Sequence, residues 1–139
     1  RVTHSHMASP RERFALPRDL LWIDGSGGMV VGVVVLLLHE WIAGIERLPV
    51  DFVRMMGVAN VLYGSYSLTL ASRRTRPAAL ILLLVVANAA WGVACMRWAI
   101  GYAETASIFG LAHLVSEGAY VMVLAAFEWR WRERLRVRE

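Results

Sequence analysis

The stretch FGLAHLVSEGAYVMVLAAF, Phe109 to Phe127, is long and apolar enough for a membrane, yet His113 and Glu117 stand one helical turn apart near its middle. A hydrocarbon core of about 30 Å takes roughly 20 residues of helix to cross. An ionisable side chain at that depth costs about 3 kcal/mol unless something offsets it. The stretch therefore raises two questions together: what surrounds it, and what the polar pair does there.

The rest of the chain shares its character. Hydrophobic residues make up 58% of the 139, and the mean hydropathy is +0.49; a soluble domain has about 45–50%. The apolar residues fall in long blocks, not in alternation. SHMAS, Ser5 to Ser9, reads as a cloning scar, so residues 1–9 are set aside as an expression remnant. Beyond residue 9 the only histidines are His39 and His113, and both lie in apolar stretches. All fifteen basic residues are arginine; with eleven acids they give a net charge of +4 and a pI near 10.0. They gather at the ends of the apolar blocks, which points to anionic headgroups and membrane orientation and away from nucleic acid. The single cysteine, Cys95, excludes an internal disulfide and any CxxC motif. No short apolar region precedes a small-residue cleavage site, so no cleavable signal peptide is expected.

Four segments are expected to span the membrane: 20–45, 52–71, 77–100 and 105–129. Pro77 opens the third, at a helix start where proline is tolerated. The links ERLPVD, SRRTR and GYAE leave no room for a soluble domain. The expected fold is an all-α membrane protein, an antiparallel four-transmembrane-helix bundle. Residues 10–19 form an N-terminal basic anchor in this reading, since Pro10 and Pro17 limit any helix there. Residues 130–139 read as the last helix running on into a solvated basic tail that meets headgroups. Eleven arginines (11, 13, 18, 73, 74, 76, 130, 132, 134, 136 and 138) fall on one side, against Arg47, Arg54 and Arg97 on the other. That asymmetry puts both termini in the cytoplasm. Trp22, Trp129 and Trp131 fit the inner interface and Trp41 and Trp98 the outer one, leaving Trp91 deep.

Counting about 1.5 Å per residue places the polar residues in depth. Asn60, Asn88, His113 and Glu117 fall near mid-membrane, His39 and Glu40 nearer the outside, and the inner half carries almost none. Helical spacing puts them on packing faces. Gly110, His113, Glu117 and Tyr120 share one; Gly57, Asn60, Gly64 and Ser67 another; Asn88, Trp91, Gly92 and Cys95 a third; Gly25, Gly28, Gly32, His39 and Ala43 a fourth. Small residues on those faces let helices approach closely. Glu40 with Arg54 or Arg97 is expected as an outer-interface ion pair.

Several chemistries fit this layer. His113, Glu117, His39, Asn60 and Asn88 form the expected site, either as interhelical hydrogen bonds that fix register or as the wall of a small cavity that binds or passes a ligand, ion or proton. His39 and His113 are the candidate metal or haem ligands, with Met55, Met56, Cys95 and Met96 nearby, but no metal-specific spacing is present and the cofactor stays unknown. No GxSxG, HExxH, Walker or dinucleotide fingerprint points to an enzyme. Expected partners are membrane lipids and a second copy or a larger membrane protein.

The segments WID, GVANVLYGSYSL, VANAAWGVAC and GLAHLVSEGAYV together resemble a group of small bacterial inner-membrane proteins, similar in size and four-span layout to the DoxX group. The likeness covers nearly the whole chain after residue 9. It implies a bacterial inner membrane and carries over no catalytic residue.

Overall fold

The computed structural model describes residues 16–136, with side chains from Asp19 onward. Residues 10–15 of the expected anchor and residues 137–139 of the expected tail lie outside the described residues. The chain is helical in long pieces: α1 (Leu16–Glu46), α2 (Val50–Ser72), α3 (Ala78–Gly101), α4 (Ile108–Arg130) and the short α5 (Arg132–Leu135). Of these, α1, α3 and α4 are long and apolar enough to cross a membrane, and α2 is not among them. Three of the four expected spans thus qualify by length and composition; in α2, Asp51, Arg54, Asn60 and a run of hydroxyls lower the hydropathy.

Breaks between helices follow local chemistry. α1 closes with Arg47 in the left-handed region (φ 53°) and Leu48 N–H donating to the Ala43 carbonyl at 3.2 Å, the six-residue closure of a Schellman end. Pro49 and Pro77 cap α2 and α3, and the Ser107 hydroxyl accepts from Gly110 N–H at the start of α4. α1 starts four residues before its expected span, with Pro17 tolerated in its first turn, and α4 starts three residues after its own.

α1 packs along α2 and α3 along α4, and the two hairpins meet through α1, α4 and α5. Glycine sets the first seam: a Cβ on Gly64 would lie 2.5 Å from the Met29 nitrogen and 2.8 Å from the Gly25 carbonyl oxygen, and one on Gly32 2.7 Å from the Val61 nitrogen. Backbones in contact at this range are what small residues permit in lipid, where no hydrophobic force drives helices together. At α3–α4 the corresponding pair is Gly92 and Gly118.

Two apolar cores cap the ends. Val53, Met56, Leu114, Ala43 and Ala99 form the one near the α1–α2 and α3–α4 loops, with Phe52 edge-on to Trp98 at 5.0 Å. Leu21, Leu70, Ile81, Leu84 and Leu135 form the one near the termini. Here the tail departs from the expectation of a helix running on into solvent. α4 stops at Arg130, Trp131 stacks on Phe127, and after this one-residue break α5 packs against the α2–α3 end with Leu135 buried. Arg76 holds it there, donating to the carbonyls of Leu70, Ala71 and Leu135 at 2.7–2.9 Å.

The outer faces are apolar: Leu37, Trp41, Leu62, Ile100 and Phe109 are among the most exposed side chains. On the same faces Ser65, Thr69 and Ser72 donate to carbonyls of their own helix. Such back-bonded hydroxyls need no water.

Candidate functional site

Between the two cores lies a polar layer that draws on all four long helices. Its first part is centred on His113. The ring stands between two carboxyls, with Nδ1 2.7 Å from Glu46 Oε1 and Nε2 3.0 Å from Glu117 Oε2. Spacing of four residues on α4 gives the second contact. Gly110 gives the first: a Cβ there would sit 2.6 Å from the Glu46 carbonyl oxygen, so glycine lets the end of α1 lie against the start of α4. Ser107 N–H bonds that same carbonyl at 2.8 Å.

The other Glu117 oxygen, Oε1, accepts from Trp91 Nε1 at 2.7 Å and from Asn60 Nδ2 at 3.1 Å. Indole N–H and amide NH₂ are donors only, so any proton Glu117 carries sits on Oε2, facing His113. The two contacts of the ring need two hydrogens. An imidazolium between two carboxylates supplies them, and so does a neutral imidazole beside one carboxylic acid. Both arrangements leave the triad with a net charge of −1.

A second part lies nearer the termini. Tyr63 O–H donates to Asp24 Oδ2 at 2.5 Å and accepts from Asn88 Nδ2 at 2.6 Å, while the same amide donates to Glu128 Oε2 at 3.0 Å. Ser67 adds a hydroxyl within 3.1 Å of Asp24 Oδ2. Asp24 is 2% exposed and Glu128 0%. The expectation that this half of the bundle is nearly free of polar groups is therefore corrected. Glu128 belongs to the layer because helical side chains lean toward the N-terminus of their helix. From the last turn of α4 it reaches back toward mid-bundle.

The residues expected at the site thus separate. His113, Glu117 and Asn60 come together, joined by Glu46 and Trp91. Asn88 serves the second cluster and makes no bond to Glu117. His39 turns to its own helix, Nδ1–H donating to the Leu36 carbonyl at 2.7 Å, and meets neither cluster. The expected outer pair is also corrected: Arg54 pairs with Asp51 one turn away, and neither Glu40 nor Arg97 has an ion pair among the described residues. Among the described residues no three His, Cys, Asp or Glu side chains are placed to hold a metal ion. Met55 is exposed, and Met56 and Cys95 are buried.

A cleft of about 360 Å³ opens between α1, α2 and α4 and touches both clusters. Asp24, Tyr63, Asn60, His113, Glu117 and Tyr120 supply its polar wall, with Val31 and Val121 among its apolar lining. A smaller cavity of about 160 Å³ lies behind Asn60 and Tyr63, against Asn88 and Trp91. Apolar walls with a few convergent polar groups are the usual make-up of a ligand site. Compared with known proteins, the chain matches no family profile, no curated protein and no solved structure.

Proposed function

We propose that this chain is a bacterial inner-membrane protein, an antiparallel bundle of four transmembrane helices with both termini cytoplasmic, that binds or passes a small apolar cation in the cleft between α1, α2 and α4. The observation that carries this reading is the sign of the cleft. One of its ends is the Glu46–His113–Glu117 triad at net −1, the other is Asp24, and among the described residues no arginine lines it. Buried anionic charge without a fixed counter-ion is expensive in a low-dielectric setting, and an incoming cation offsets it. The valine and glycine walls suit the apolar part of such a cation.

Membrane placement draws on the apolar faces of α1, α3 and α4. For α2 the support is its rotation: Asn60, Gly64 and Ser67 turn inward while Val58 and Leu62 turn out. Orientation rests on the arginine asymmetry, and the bacterial inner membrane on the resemblance in sequence pattern.

Equilibrium binding of tetraphenylphosphonium to the detergent-purified protein tests the reading. Glu117→Gln should weaken binding at least tenfold, worth about 1.4 kcal/mol. Glu40→Gln, at an exposed carboxyl, should leave it unchanged. Equal binding by wild type and Glu117→Gln would favour a polar layer that only fixes helix packing.

A further inference from the structure

The cluster near the termini holds more acid than the cation reading uses. Glu128 is fully buried; its Oε2 accepts from Asn88 and its Oε1 has no hydrogen-bond partner. Asn88 on α3 and Tyr63 on α2 link it to Asp24 on α1 in one hydrogen-bond chain. Tyr120, on its own helix, lies within electrostatic reach. No ion pair among the described residues includes Glu128: on the α5 side Arg132 donates to the Trp129 carbonyl, Arg134 is exposed and Arg136 pairs with Glu133. Asp24, by contrast, accepts from Tyr63 as a carboxylate does, with the single Ser67 hydrogen shared between its Oδ2 and the Leu21 carbonyl, both at 3.1 Å. Two buried carboxyls in one hydrogen-bonded cluster do not both ionise readily without a cation. Of a buried carboxyl's two oxygens, the one without a donor can take the hydrogen without losing a bond; Glu46 Oε2 is the other such oxygen among the described residues, but Glu46 already meets the His113 ring through Oε1, whereas Glu128 meets only an amide.

We propose that Asp24 and Glu128 hold one proton between them, and that a cation entering the cleft beside Asp24 expels it, which makes the site a one-for-one proton–cation exchanger. Resting, the pair carries one proton and a charge of −1. With the cation seated it carries −2, the cation adds +1, and one proton leaves to solvent. The sum is unchanged, and the only bond broken is a carboxyl O–H. Tyr63 O–H stays on Asp24 Oδ2 throughout and positions it at the cleft wall.

The inference rests on the cation reading above, and two readouts keep their failures apart. Infrared difference spectra in H₂O and D₂O should show an acid carbonyl band present in wild type and lost in Glu128→Gln, whereas Glu46→Gln and Glu117→Gln, which touch only the triad, should retain it. Glutamine keeps an acceptor for Asn88, so this variant should fold; Asp24→Asn gives a second disruption of the same pair. Calorimetry of tetraphenylphosphonium binding in buffers of different ionisation enthalpy should then count about one proton released per cation in wild type. Glu128→Gln should still bind and release close to none. A wild-type spectrum from which neither Glu128→Gln nor Asp24→Asn removes an acid band would overturn the proton site, whatever the cation does. Proton release persisting in both Glu128→Gln and Asp24→Asn would overturn the exchange. Loss of cation binding in wild type, with the acid band intact, would sink the cation reading and the exchange while leaving the proton site standing.

Discussion

Changing Gly64 to alanine and Gly44 to alanine should move stability in opposite directions, although both glycines are helical. At Gly64 the new Cβ would meet the Met29 nitrogen at 2.5 Å and the Gly25 oxygen at 2.8 Å, whereas ordinary contact begins near 3.4 Å. The shortfall, about 0.9 Å, falls on backbone atoms of α1, which cannot rotate away as a side chain would. α1 and α2 must then separate along their seam, loosening the neighbouring contacts of Gly32 with Val61 and Gly57 with Leu36. Overpacking of this kind costs about 1–3 kcal/mol, and backbone-on-backbone contact argues for the upper end. Alanine's better helix propensity returns at most about 1 kcal/mol. At Gly44 nothing lies within 4 Å, so only the propensity gain remains, about 0.5–1 kcal/mol. Reversible unfolding in mixed micelles, driven by a denaturing detergent and followed by circular dichroism, measures both. A Gly64→Ala protein as stable as wild type would refute the close seam.

Arg76→Met should lose three charge-assisted bonds to buried carbonyls and cost at least about 2 kcal/mol locally; amide exchange over residues 132–136 should quicken while that of α3 stays slow. His113→Ala leaves Glu46 and Glu117 facing one another without the ring, which should destabilise by about 2–3 kcal/mol, allowing for the 22% exposure of the His113 side chain. His39→Ala removes a bond to its own helix only and should change stability by less than about 1 kcal/mol in the same unfolding assay.

How much is legible in the sequence differs between elements. Apolar blocks bounded by arginine and proline announce long helices, and three- and four-residue spacing puts the glycines and Glu117 on inward faces, because helical phase is local information. Glu46 escapes such a reading because it sits at the very end of α1, where an acid usually reads as a solvated terminus; only Gly110, one close approach away, hints that something packs there. Glu128 falls at the inner end of the last expected span when depth is counted from Cα positions, and that count leaves out the lean of a helical side chain toward its helix N-terminus. Asp24 stands in plain view beside Trp22, but its partner Tyr63 comes from another helix, and cross-helix pairing is a tertiary fact. The packing of α5 is hidden for a similar reason: Leu135 lies among arginines and glutamates, and its burial depends on a cap that Arg76 supplies from a distant loop.

Photolabelling with a cationic diazirine amphiphile in bilayers, mapped by mass spectrometry, tests the cation-filled cleft most directly. The account predicts saturable adducts on Val31, Ser116 and Tyr120, all lining the cleft, that excess tetraphenylphosphonium suppresses and Glu117→Gln largely abolishes. Adducts confined to the exposed outer faces, at Leu37 or Leu62, and indifferent to competitor would contradict it.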